Sequence, residues 1–150
     1  MLRFMLFFLI LLFTLPAVAE VAQQLVAAAV AGRIYQVEDL LAQGADANAK
    51  NSAGRPALVM AAFNGNQRTL NALLGAGADA NAVDELGNSA LMEASAKGHL
   101  SIVSALLIAG VDVNLKNKAG RTALDRAKAG GSSVVISRLE EAGATEGVSE

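Results

Sequence analysis

Cysteine is absent from the 150 residues, and histidine occurs once, at His99. Without cysteine the chain forms no disulfide, offers no thiolate nucleophile, and lacks the residue through which a bacterial lipoprotein is anchored. One histidine leaves no set of N and S donors for a zinc site. A Ser–His–acid triad would have to recruit His99, and no G-x-S-x-G elbow accompanies it. No G-K-[ST] phosphate loop and no EF-hand array of oxygen ligands is present either. No catalytic residue, cofactor or metal is therefore expected, and packing alone must hold the fold. Charge is also thin, with 12 basic against 14 acidic residues and a net of −2. That balance argues against nucleic acid or an anionic membrane as a partner.

The first residues are of a different kind. Arg3 is followed by an apolar run from Phe4 to Leu15, broken only by Thr14, and then by Pro16 and Ala17-Val18-Ala19. A charged start, a short apolar stretch and an A-x-A site make the pattern of a secretory signal. A retained membrane anchor is the weaker rival, since spanning a bilayer takes about 20 apolar residues and this run is shorter. Residues 1–19 are thus expected to be a signal peptide, cut after Ala19. The remaining chain carries 11 basic and 14 acidic side chains, a net of −3. It is expected in the periplasm or secreted, without membrane contact once cut.

From there the sequence repeats with a period of 33. Gly54, Gly87 and Gly120 keep that step, as do Leu25, Leu58, Leu91 and Leu124, and Gly32, Gly65, Gly98 and Gly131. Asp46, Asp79 and Asp112 recur with Asn48, Asn81 and Asn114 two places on. The pairs Leu40-Leu41, Leu73-Leu74 and Leu106-Leu107 follow the same register, which Leu139-Glu140 closes. Each unit reads as turn, helix, turn, helix. In the third, Ser89 caps a short helix through Ser95 or Lys97, ended by Gly98. Leu100, Val103, Leu106 and Leu107 then form an apolar stripe on a second helix. A single unit cannot bury both helices, whereas stacked neighbours can.

These units resemble ankyrin repeats, through G-x-T-A-L at Gly120–Leu124 and L-L-x-x-G-A-D-x-N at Leu73–Asn81. The resemblance implies an all-α solenoid of helix-turn-helix units joined by β-turn or hairpin loops. It covers about residues 21–144. Four stacked repeats are expected over 20–144, at about 21–53, 54–86, 87–119 and 120–144, with 145–150 a polar tail. The family's T-P-L-H box reads Pro56-Ala57-Leu58-Val59, Ser89-Ala90-Leu91-Met92 and Thr122-Ala123-Leu124-Asp125, so its histidine is missing throughout. Pro56 also lacks the hydroxyl cap of Ser89 and Thr122. His99 holds the family's Gly-His position and is read as structural. The three repeating aspartates are read as turn formers rather than calcium ligands. Both ends show polar residues that suit caps, with Gln23, Gln24, Arg33, Gln36, Glu38 and Asp39 at the first and Glu140 and Glu141 at the last.

The resemblance further implies that loop tips and first helices line a concave face that holds another protein. By register the variable positions there are Ser52, Ala53, Arg55, Phe63 and Asn64, then Glu85, Leu86, Asn88, Ala96 and Lys97, then Lys118, Ala119 and Arg121. Phe63 stands out, because the later units carry Ala96 and Ala129 at its place. Met60 and Met92 are expected to fill core space. The signs of charge on this face are mixed, which favours no strongly electrostatic partner. The expected role is a monomeric protein-binding adaptor of the cell envelope. An antagonist of a toxin or protease, or a secreted protein acting on a host, are the alternatives.

Overall fold

A computed structural model describes residues 17–147, and residues 1–16 of the expected signal lie outside it. Ala17-Val18-Ala19 and Glu20 lie inside it, exposed, in the first turn of a helix at residues 17–30 (α1). Three further pairs follow the partner of α1, α2 (Ile34–Ala42). They are α3 (Ala57–Phe63) with α4 (Gln67–Gly75), α5 (Ala90–Lys97) with α6 (Leu100–Ile108), and α7 (Ala123–Gly130) with α8 (Ser133–Glu141).

The first helices α3, α5 and α7 pack side by side in one row, and the second helices α2, α4, α6 and α8 in another. First helices can approach closely because their contact residues are small. Ala28, Ala61, Ala94 and Ala127 are all fully buried or nearly so, so one backbone lies against the next. Leu25, Leu58, Leu91 and Leu124 fill the layer between the rows, with Leu73, Leu106 and Leu139 coming from the second helices. No unit owns this core alone.

Helix ends follow local chemistry. Gly32, Gly65, Gly98 and Gly131 all follow first helices with φ between 66° and 76°, the left-handed conformation that costs a glycine least. Ser89 and Thr122 accept bonds from the Met92 and Asp125 amides through their hydroxyls, whereas Pro56 at the equivalent place makes no side-chain cap. Asp46, Asp79 and Asp112 close their own turns, their Oδ1 accepting from the amides of Asn48, Asn81 and Asn114 at 2.9–3.0 Å. These asparagines reach across to the next unit. Asn48 Oδ1 accepts from the Asp79 amide at 2.7 Å, Asn81 from Asp112 at 2.8 Å, and Asn114 from Thr145 at 2.8 Å.

Three details depart from the sequence reading. The buried stripe of α6 is Ile102, Val103 and Leu106, while Leu100 is exposed and Leu107 half-buried. Helix α6 is apolar around most of its circumference, so periodicity alone could not fix its face. Met92 is buried as expected, but Met60 is only half-buried and borders a surface hollow. The tail also docks in part. The Thr122 hydroxyl lies 2.8 Å from the Thr145 carbonyl oxygen, and the Gly147 amide donates to Asp125 Oδ2 at 2.9 Å. Residues 145–147 thereby close the last unit. At the other end Gln23, Gln24, Arg33, Gln36, Glu38 and Asp39 are all exposed, as a terminal repeat requires.

Candidate functional site

Hairpins precede α3, α5 and α7, and each is built around one Asx side chain. Asn51 Oδ1 accepts from the amides of Ala53 and Arg55, Asp84 Oδ1 from Leu86 and Asn88, and Asn117 Oδ1 from Ala119 and Arg121, all at 2.9–3.0 Å. A side chain that mimics a backbone turn in this way sets the tip and throws its neighbours outward. Backbone bonds from the amides of Asn51, Asp84 and Asn117 to the carbonyls of Arg55, Asn88 and Arg121 close each hairpin. Lys118 also donates its amide to the Leu86 carbonyl at 3.0 Å, tying the third hairpin to the second.

Between these tips and the first helices lies a shallow hollow of about 160 Å³. Arg55, Asp84, Leu86 and Asn88 border it from the hairpins, Val59, Met60 and Phe63 from α3, and Glu93 from α5. Phe63 and Leu86 remain 40% and 63% exposed, one on a first helix and the other on the hairpin that follows in the stack. The Lys97 ammonium sits 4.5 Å from the centre of the Phe63 ring, within cation–π range. His99 Nε2 lies 3.3 Å from the Phe63 carbonyl oxygen, a contact that the Nε2–H tautomer makes. One unit earlier, Asn66 Nδ2 donates to the carbonyls of Ala29 and Val30 at 2.9 Å each. His99 and Asn66 share a register, so both tie a second helix's start to the preceding unit.

Of the expected contact residues, Ser52, Arg55, Phe63, Asn64, Glu85, Leu86, Lys97, Lys118 and Arg121 are exposed. Arg55, Phe63 and Leu86 converge on the hollow, with Lys97 over the ring, while Lys118 and Arg121 sit on the third hairpin. Asn88 is a correction. It is buried, and its Oδ1 accepts from Asn117 Nδ2 at 2.8 Å, so it fastens two hairpins at the edge of the hollow.

An ion pair escaped the sequence reading. Glu93 of α5 is buried and meets Arg126 of α7, whose Nη2 approaches both carboxylate oxygens at 3.2 and 3.3 Å. The two residues are 33 apart, so opposite charges in one register were the signal that could have revealed them. At Asp125, burial works to raise the carboxyl, but bonds from the Thr122 and Gly147 amides and the Thr122 hydroxyl, with Arg121 nearby, hold it below the ordinary 3.8. Among the described residues no group of three or more His, Asp or Glu could hold a metal ion, and no helix is long and apolar enough to cross a membrane.

A family model described as ankyrin repeats (3 copies) matches residues 25–117 and, overlapping, 58–145. No curated protein matches the chain.

Proposed function

The chain belongs to the ankyrin-repeat family, and from that premise we propose a protein-binding adaptor that holds an envelope partner against its hairpins and first helices. Repeats of this family form protein–protein interaction modules. The observation that carries the choice of face is the convergence of Arg55, Phe63 and Leu86 on one hollow in the middle of the stack. Interface energy concentrates in a few central anchors, aromatic and arginine residues foremost. An apolar ring beside a guanidinium can bury area and still orient a polar group of the partner.

The periplasm, or the outside of the cell, is the compartment we infer, from Arg3, the apolar run and Ala17-Val18-Ala19. A role without catalysis or metal fits a single histidine engaged with the Phe63 carbonyl. The exposed Glu140 and Glu141 and the docked residues 145–147 suit a monomer, because they place polar groups over the last unit.

A photoreactive residue in place of Leu86 should crosslink a discrete partner in intact cells, and one in place of Asn71 on α4 should not. Phe63→Ala should weaken that partner's binding by about 1–2 kcal/mol, with stability lowered by less than about 1 kcal/mol because the ring is largely outside the core. Equal crosslinking from both positions, or Phe63→Ala unfolding the chain while binding per folded molecule persists, refutes the face.

A further inference from the structure

The hairpin edge has a sign that the whole chain hides. Its outer hairpins carry Lys50 and Arg55 on one side and Lys116, Lys118 and Arg121 on the other, all five exposed. Among the described residues none of them forms an ion pair, though Arg121 lies near the Asp125 carboxylate. The central hairpin carries Asp84 and Glu85, so five cations stand against two carboxylates, a net of +3 on a chain whose net is −2. Asp84 is half-buried and already accepts two backbone amides. Glu85 leans over Gly54, where an added side chain would strike its carboxylate. The loops at 43–48, 76–81 and 109–114 contain Asp46, Asp79 and Asp112 and no lysine or arginine. Charge is therefore sorted by position in the fold, with the cations on the two outer hairpins around a central pair of carboxylates.

We propose that the partner bound at this face presents an acidic protein segment, an apolar residue flanked on both sides by carboxylates. This rests on the adaptor reading and deepens it. The apolar residue sits against Phe63 and Leu86, and the flanking carboxylates meet Lys50 and Arg55 on one side and Lys118 and Arg121 on the other. Packed helices stand about 8–10 Å apart, so the outer hairpins are about 20 Å apart. An extended segment rises about 3.3 Å per residue, so about six residues separate its two acidic clusters. A nucleic acid fits less well. Its unbroken phosphates would run over Glu85, and among the described residues the face offers a single aromatic ring, Phe63.

The test is fluorescence anisotropy with the full chain and a labelled peptide, two Glu-Asp triplets separated by about six residues with a central leucine. Comparison probes are the same peptide with Gln and Asn for the acids, and an oligothymidylate of equal charge. The acidic peptide should bind, at least about tenfold more weakly in about 0.5 M than in about 0.05 M salt, since screening shortens the reach of charges. Lys118→Glu with Arg121→Glu should weaken it at least about tenfold. Arg33→Glu with Arg68→Glu, the same change of net charge on the second-helix side, should change it less than about twofold. If the tip variant fails to fold, Lys118→Gln with Arg121→Gln carries the same test. No binding below about 1 mM, equal binding of the neutral peptide, tighter binding of the oligonucleotide, or equal losses in both variants overturns the proposal. Should any of these occur while Phe63→Ala still weakens the crosslinked partner, the face stands and only its acidic ligand falls.

Discussion

Replacing Arg126 by methionine should destabilise the chain more than replacing Glu93, although the two form one ion pair. The Glu93 side chain is 10% exposed and that of Arg126 is 29% exposed. Removing one partner of a fully buried pair costs about 3–5 kcal/mol, because a charge is left without a partner or water. Arg126→Met leaves the carboxylate in that position, and partial exposure brings the cost to about 2–3 kcal/mol. Glu93→Met leaves a long guanidinium that can turn into solvent, which costs about 1 kcal/mol. The double variant should lie within about 1 kcal/mol of the parent, since apolar replacements of such pairs are often neutral. Two observations support that figure. Arg126 Nε is buried without a partner even when the pair is intact, and the second unit carries Met60 in the same register. Urea unfolding followed by far-UV circular dichroism measures all three. The pair joins the third unit to the fourth, so Arg126→Met should also broaden the transition as α7 and α8 loosen first. A double variant whose loss equals the sum of the singles, or a Glu93→Met loss larger than that of Arg126→Met, refutes this reasoning.

Leu73 is fully buried between the rows, so Leu73→Ala should cost about 2–5 kcal/mol in a denaturant melt, and a loss under about 0.5 kcal/mol would be inconsistent with that packing. Asp125 is held below 3.8 in the fold; a depressed carboxyl contributes stability above its unfolded value and loses it as pH falls through the folded one. Acid titration of thermal stability below pH 3.8 should therefore be shallower in Asp125→Asn, and an identical acid limb would count against the Thr122–Asp125–Gly147 clasp. Mass spectrometry of chain from its native cell should find an N-terminus at Glu20, whereas intact Met1 in the cytoplasmic fraction would rule out export with cleavage.

Much of the architecture was legible because a period of 33 repeats the same local rules. Gly98 and Gly131 ending first helices, Ser89 and Thr122 starting them, and Leu73 and Leu106 pointing inward all follow from residue type at a fixed place. Legibility failed where a contact crosses between units. Asn88 and Asn117 look alike in sequence to any exposed turn residue, and only the approach of two hairpins buries one of them. Glu93 reads as a solvated helix charge until α7 brings Arg126 over it. Leu100 was misjudged for another reason, as α6 is apolar enough that several faces satisfy helical spacing. Within the candidate site, Phe63 was legible as a misfit in its register, but the hollow it shares with Leu86 depends on the lateral packing of α3 and α5.

The fastening of the hairpins is uneven. The second and third are joined twice, by the Lys118 amide to the Leu86 carbonyl and by the two carboxamides of Asn88 and Asn117. Among the described residues no hydrogen bond joins the first to the second, where Glu85 merely rests on Gly54. The mouth above Phe63 is thus bounded unevenly: Leu86, Lys118 and Arg121 stand on two hairpins pinned to each other, and Arg55 stands on a hairpin that no hydrogen bond among the described residues pins to its neighbour.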